Sequence, residues 1–589
     1  MTEPQRVRVG SLAELAERGC LTAKLGNRPV CVFYDEGEVY AVEDRCPHMG
    51  FPLRRGTVQG GLLTCHWHHA RFDLASGGTL DPFADDVPAF PVEISDGDVH
   101  VLASSDSDRV GRLYRRLEEG LEQGITLVIA KAVLGLLEAG VAAEEVVETG
   151  VGFGTKYRAE GWGPGLTVLV AMANVLPVLD PAERPLALVH GLAFLSSDTA
   201  GRSPRFPLMP LDSALPIERL TGWYRRFIDT RSAEAAERTL ATAIAAGHDA
   251  AAVATLLCGA VTDHVFIDEG HTIDFTNKAF ECLEHIGWAR AGEVLTTLVA
   301  QTASARRHEE EASWRHPVDL AGLLSASATE DVLRARLVAA AGRAERPAAF
   351  PDKDVDALSW VLLSDDPVGI IGCLDRALDA GASVEQLARA VAYAAALRIV
   401  RFHTQNDHGD WNEVHHAFTA ANAVHQSVVR APSVELARGV YQGAMRVYLD
   451  RFLNVPAARQ PSAPTPSPAG SAGVELGELQ ACWDTEGGVD EAGQIAYGFL
   501  AGGGDPDRLI ASLGRALLAE DAEFHWFQIF EAAVRQYAAW PVGSEQGRLI
   551  LAAAARFLAA HTPTRRERSQ VVRIATRLRR GEPLYEEDD

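Results

Sequence analysis

Hydrophobic and polar positions alternate with a period of two in short runs over the first hundred residues, and follow helical spacing over most of the rest. Val30-Cys-Val-Phe-Tyr34 and Val39-Tyr-Ala-Val42 flank Glu36-Gly37, while Pro91-Val-Glu-Ile94 and Val99-His-Val-Leu102 flank Asp96-Gly97, so two β-hairpins are predicted. After Ser104-Ser-Asp-Ser-Asp108 the chain becomes rich in Ala, Leu, Glu and Arg. Apolar residues then recur every three or four positions, as in Ala250–Cys258, Leu387–Val400 and Leu549–Leu558, which predicts helices joined by loops. The stretch 456–473 is a Pro/Ser/Ala tract with too little apolar surface to fold, and reads as a linker.

At 589 residues the chain exceeds what one hydrophobic core supports. The expected fold class is therefore multidomain: an all-β domain over 1–104, a large all-α domain over 110–455, the linker 456–473 and a C-terminal α-helical domain over 474–589. A net charge of −25 would repel a nucleic-acid backbone or an anionic membrane. With no apolar run long enough for a span and no basic-then-apolar start, neither nucleic acid nor membrane is an expected partner, and a cytoplasmic protein is expected. The eight cysteines are too scattered for a disulfide framework.

Cys46-Pro47-His48 and Cys65-His66-Trp67-His68 form a C-x-H…C-x-x-H pattern beside turn-forming Gly50 and Gly77-Gly78. Two Cys and two His are also a zinc donor set, but the surrounding Phe72-Asp73-Leu-Ala-Ser76-Gly77 resembles the second cluster loop of Rieske [2Fe-2S] domains of the ferredoxin type. The resemblance covers about residues 5–103. It implies that Cys46 and Cys65 hold one iron and His48 and His68 the other, the neutral imidazoles raising the reduction potential. His66 and His69 are left as non-ligands, and Trp67, Phe72 and Pro52 are candidates to shield the cluster. The loops lack the additional cysteine pair of respiratory Rieske proteins, so the lower-potential ferredoxin or oxygenase type is implied.

Rieske oxygenases carry a D-x-x-H-x(4)-H stretch in a β-rich catalytic domain. Asp268 and His271 match its first half, but Thr276 stands where the second His would be, and an Ala-rich helical region fits that fold poorly. A different signal is internal. Residues 263–271 and 407–415 both read D-H-x-x-x-(D/N)-E-x-H, each after a Gly-containing turn and an apolar helix, so internal helical repeats are expected. Fainter copies occur at Glu523-Phe-His525 and at His190.

If each repeat segment is helical, His264, Asp268 and His271 share one face, as do His408, Asn412 and His415. Two such faces would converge on a second, non-haem metal centre of one or two ions, most simply iron. Glu269, Glu413 and His416 are further candidate ligands, and the carboxylates Glu269, Glu413, Asp263, Asp407 and Asp410 could ligate, bridge or orient histidines from outside. His525 with Glu531 could join if the C-terminal region folds over the main one. The alternative, hydrogen-bonded structural histidines, stays open, since Gly270 and Gly409 interrupt the supposed helices. Arg306-Arg-His-Glu-Glu-Glu311 is expected to be a solvated helix face, and His403 is a candidate to line the same pocket.

The expected function is that of an iron–sulfur oxidoreductase whose Rieske cluster delivers electrons to this His/carboxylate centre, for oxygen-dependent oxidation of a small organic substrate. No G-x-G-x-x-G follows a predicted strand, so electrons would come from an external donor of the ferredoxin-reductase type. The other reading is a redox-sensing or docking protein with a Rieske electron-transfer module on a helical scaffold.

Overall fold

A computed structural model describes residues 6–103, 109–341, 350–463, 476–582 and 584. Residues 104–108 and 464–473, in the two predicted breaks, lie outside the described residues. Contacts divide the chain into one unit of residues 1–149 with 567–589, and a second of 150–566.

The sheet-rich part of the first unit has ten strands: β1 (Arg6–Ser11), β2 (Cys20–Leu25), β3 (Arg28–Asp35), β4 (Glu38–Glu43), β5 (Thr57–Gln59), β6 (Leu62–Thr64), β7 (Arg71–Asp73), β8 (Ala89–Phe90), β9 (Val92–Ser95) and β10 (Asp98–Leu102). They pair antiparallel in three sheets ordered β1-β10-β9, β2-β3-β4-β8 and β5-β6-β7. Both predicted hairpins form. Glu36 and Gly37 take φ of 48° and 94°, and Asp96 and Gly97 take 53° and 81°, the left-handed pairs whose twist matches the flanking strands.

Leu53, Leu63, Phe72, Leu74 and Val87 make a core directly beneath Cys46 and Cys65. The same unit contains helices Arg109–Gln123, Thr126–Glu138 and Glu567–Arg579. The last of these is tied to the second where Arg579 Nε donates to Glu138 at 2.9 Å.

The second unit is helical, as the periodicity predicts. Helix Trp411–Arg430, buried almost continuously from Val414 to Val428, packs against Val384–Val400, Val434–Leu449, His271–Ile286 and Phe524–Ala538. Because every face meets a neighbour, its polar residues His415, His416, Asn422 and His425 are buried along with the apolar ones. Helices from both sides of the 456–473 tract thus belong to one compact unit. No helix among the described residues is long and apolar enough to cross a membrane.

A helix–loop–helix pattern recurs as Ala250–Thr262 with His271–Ile286, Val384–Val400 with Trp411–Arg430, and Pro506–Ala519 with Phe524–Ala538. In each pair the first helix follows a glycine of positive φ (Gly247, Gly381, Gly503) and is capped by the side chain of Asp249, Ser383 or Asp505.

The helical geometry expected for the repeat segments is corrected. Residues 264–270 do not form a helix that could place His264, Asp268 and His271 on one face. Phe266, Asp268, Glu269 and Gly270 have φ of 41°, 54°, 56° and 87°, and regular helix begins only at His271. In the second copy a single turn, His408–Asp410, precedes the helix that starts at Trp411. The stretch 306–311 is likewise no solvated helix face: it holds a short 3-10 turn, His308–Glu310, with Arg307 and His308 buried.

Gly77 shows how tightly the cluster end is built. Its φ is 76°, its carbonyl accepts from Val87 N at 2.9 Å, and a Cβ placed there would collide with the carbonyl oxygen of Val87. Gly77→Ala is expected to destabilise this unit by about 2 kcal/mol or more, from left-handed backbone strain plus overpacking. Denaturant unfolding followed by visible absorbance of the reconstituted protein measures it.

Candidate functional sites

Two loops at one end of the β-rich domain bring Cys46, His48, Cys65 and His68 together. The first follows β4 and is closed by Cys46 N donating to Phe51 O at 2.8 Å and Gly50 N to Cys46 O at 2.7 Å. The second joins β6 to β7 and is closed by Cys65 N to Ala70 O at 2.8 Å and His69 N to Cys65 O at 3.1 Å. Gly50 and His69 take φ of 81° and 60° at the corresponding corners.

The His48 and His68 rings stand edge to face, 4.8 Å between centroids. Both cysteines are buried, His48 is half-buried and His68 is exposed. The two thiols contact each other, and backbone N–H groups of His48 and Met49 point to the Cys46 sulfur, those of Trp67 and His68 to the Cys65 sulfur. Sharing one hydrogen bond pushes Cys46 up and Cys65 down.

Burial first, then the nearby Lys131 ammonium, lowers His48 to about 4, leaving it neutral with a buried Nδ1 that has no hydrogen-bond partner. All eight cysteines are free. Phe83 lies edge-on to His48 at 5.0 Å and Trp67 packs on His68 at 4.4 Å. Paired thiols held by amide N–H groups, opposite a pair of imidazoles, form a donor set that fits a [2Fe-2S] cluster.

In the second unit, three helix N-terminal turns converge. His271 opens His271–Ile286, His416 lies in the second turn of Trp411–Arg430, and His525 is the second residue of Phe524–Ala538. One ring nitrogen from each lies within 4.8 Å of the others. Nε2 of His416 and Nε2 of His525 are 3.3 Å apart. That is about the separation of two nitrogens at ~2.0–2.1 Å from one tetrahedral ion.

His415 packs on His525 at 4.5 Å between centroids, fully buried, with neither ring nitrogen hydrogen-bonded. Glu269 Oε2 stands 3.4 Å from His416 Nδ1, and Arg306 pairs with the same carboxylate. Burial, reinforced by the neighbouring imidazoles, lowers His415 well below the usual range, His416 to about 2 and His525 to about 4. Burial also lowers His271. Neutral imidazoles present the lone pairs that a divalent ion requires.

Of the residues singled out in sequence, His271 and His416 enter this triad, with His415 and Glu269 against it. The remaining four are occupied elsewhere. His264 Nδ1 bonds Glu309 at 2.8 Å, Asp268 faces Gln301 at 3.4 Å, Glu413 pairs with Arg446, and exposed His408 packs on the His561 ring at 4.7 Å. His190 is a core histidine bonded to Leu518 O at 2.9 Å, and His403 Nδ1 accepts from Gln405 N at 3.1 Å.

His525 carries only the faint third repeat as a sequence signal. Nothing in the sequence marks His561, which ends helix Glu545–His561 and packs on Trp526, or His308, buried with neither ring nitrogen hydrogen-bonded.

Below the triad, along the same helices, runs a seam of buried polar groups. Lys278 Nζ bonds Glu281 at 2.7 Å and Glu531 at 2.8 Å, all three 1% exposed. Asn174 bridges the same two carboxylates, and Asp274 accepts from Gln528. Burial raises Asp274 to about 7, with Lys278 pulling against it and Glu531 and Glu281 adding to the rise.

An acid raised in the folded state contributes stability that is complete below its unfolded value near ~4 and lost as pH climbs through about 7. Asp274→Asn is therefore expected to gain on the parent by about 1.4 kcal/mol per pH unit across that window. Urea unfolding at pH 4.5 and pH 7 measures the difference, and equal gains at both pH values would contradict it.

Comparison with known proteins places residues 5–91 in the Rieske [2Fe-2S] domain model. Apoptosis-inducing factor 3 of Homo sapiens is 36% identical over 155 residues, 26% of this chain and 24% of that protein. The anthranilate 1,2-dioxygenase ferredoxin subunit of Burkholderia cepacia is 30% identical over 94 residues, 16% of this chain and 87% of the subunit. The ferredoxin component of the naphthalene 1,2-dioxygenase/salicylate 5-hydroxylase systems of Ralstonia sp is 29% identical over 84 residues, 14% of this chain and 81% of the component. The chain spans about a quarter of the length of apoptosis-inducing factor 3.

Proposed function

Because the chain belongs, through residues 5–91, to the Rieske [2Fe-2S] family, we propose that it is an oxidoreductase in which electrons accepted at the Cys46, His48, Cys65 and His68 site serve a non-haem metal ion held by His271, His416 and His525. The observation that carries this reading is the approach of three neutral imidazoles, from helices far apart in sequence, to within 4.8 Å of one another. His415, buried with no hydrogen-bond partner, and Glu269 extend the donor set. An unsatisfied buried imidazole costs stability unless another ligand offsets it.

Iron in such a site would supply one-electron redox chemistry and activation of dioxygen. The protein's own part is to hold imidazoles neutral, keep Glu269 at hand as a carboxylate ligand or acceptor, and exclude water. A mostly apolar cavity of about 20 Å³ is lined by Phe266, Gly270, Ile273, Ala420, Thr262 and Gln442. It is of a size for one small molecule such as dioxygen or water. A separate reductase is the source of electrons and a small organic molecule the substrate, in keeping with the ferredoxin components that the first ninety residues resemble.

The test is elemental analysis of the full-length protein reconstituted with iron and sulfide. About one metal ion per chain is expected beyond the cluster iron. His416→Ala and His525→Ala should each lose it while visible absorbance and acid-labile sulfide stay at parent level. Parent protein with metal for the cluster alone, or variants that retain the extra ion, would overturn the reading.

A further inference from the structure

Helix Thr126–Glu138, Thr-Leu-Val-Ile-Ala-Lys-Ala-Val-Leu-Gly-Leu-Leu-Glu, is buried from Val128 to Leu136 and carries one cation in that stretch, Lys131. A lysine 7% exposed in an apolar helix is expensive unless its ammonium is met by acceptors. Here every acceptor belongs to the cluster end of the β-rich domain. Lys131 Nζ donates to Pro47 O, donates to His48 O at 2.9 Å and faces Asp85 Oδ2 at 3.4 Å. Asp85 is in turn held by Arg116 Nε at 3.0 Å, and Arg116 also donates to Ala84 O at 2.8 Å, fixing the loop that places Phe83 against His48.

The two carbonyls that Lys131 engages belong to the peptide units Pro47–His48 and His48–Met49. The N–H groups of those same two units are the ones that point to the Cys46 sulfur. A cation on the carbonyl of an amide polarises its N–H, so each bond to the sulfur is strengthened through the peptide plane. Hydrogen bonds to cluster sulfurs and nearby positive charge stabilise the reduced, more negative state and raise the potential.

We infer that Lys131, which lies outside the 5–91 segment, is a positioning residue that sets the reduction potential of the Rieske cluster by polarising the two amides that hold Cys46. Asp85 acts in the opposite sense by partly neutralising it.

The experiment is an EPR-monitored redox titration of the full-length protein with reconstituted cluster. Lys131→Met is expected to shift the one-electron equilibrium tenfold toward the oxidised form, which is about 59 mV to lower potential. Lys131→Arg, which keeps charge and donors, should stay close to the parent. Asp85→Asn should move the potential upward. A Lys131→Met protein with full cluster absorbance and the parent potential would overturn the inference, as would equal falls in the Met and Arg variants. If the Met variant takes up no cluster, Asp85→Asn decides: a rise supports the role and an unchanged or lower potential refutes it.

Discussion

The ammonium of Lys278, 1% exposed and shared by Glu281 and Glu531, is the constraint on which the helical unit depends. Burying a charge this deeply is tolerated only when its partners stand in hydrogen-bonding positions, so helix His271–Ile286 and helix Phe524–Ala538 can pack in few registers. Lys278 lies seven residues after His271 and Glu531 six after His525, about two turns along each helix. The register that pairs Lys278 with Glu531 is thus the register that brings His271 beside His525. Asn174, from helix Pro164–Val175, adds a third element to the same lock through both carboxylates.

Above that lock the polarity changes character. The charged groups of the seam are paired with one another, whereas the histidine cluster is under-satisfied: neither ring nitrogen of His415 is hydrogen-bonded. Burial lowers the proton affinity of His415 and His416, and the neighbouring imidazoles add to it, since each would repel a second positive charge. The first unit resolves the same problem differently. Its donors come from two short loops whose corners are set by Gly50 and His69.

The β-rich domain was legible from sequence because its information is local. Two-residue turns with glycine set the hairpins, and the four candidate ligands fall within 23 consecutive positions, Cys46 to His68. The helical unit was legible only in part. The repeat was visible, but its face assignment failed because positive φ at Asp268, Glu269 and Gly270 breaks the helix just before His271. There a Cβ on Gly270 would lie 2.5 Å from that of Ala420, so the turn is fitted to the neighbouring helix and not to its own periodicity.

What the sequence by itself determined is therefore the chemistry of the cluster site, the all-α character of residues beyond 110 and the histidines worth watching, all consequences of short-range pattern. Tertiary structure decided which of those histidines meet. His264 and His408 were drawn off by Glu309 and His561, while His525 arrived from beyond the 456–473 tract. The reason is physical: side chains set in short loops are brought together by backbone turns a few residues long, whereas a cluster assembled from three helices depends on how they pack, and here Lys278 ties two of those helices across 253 residues.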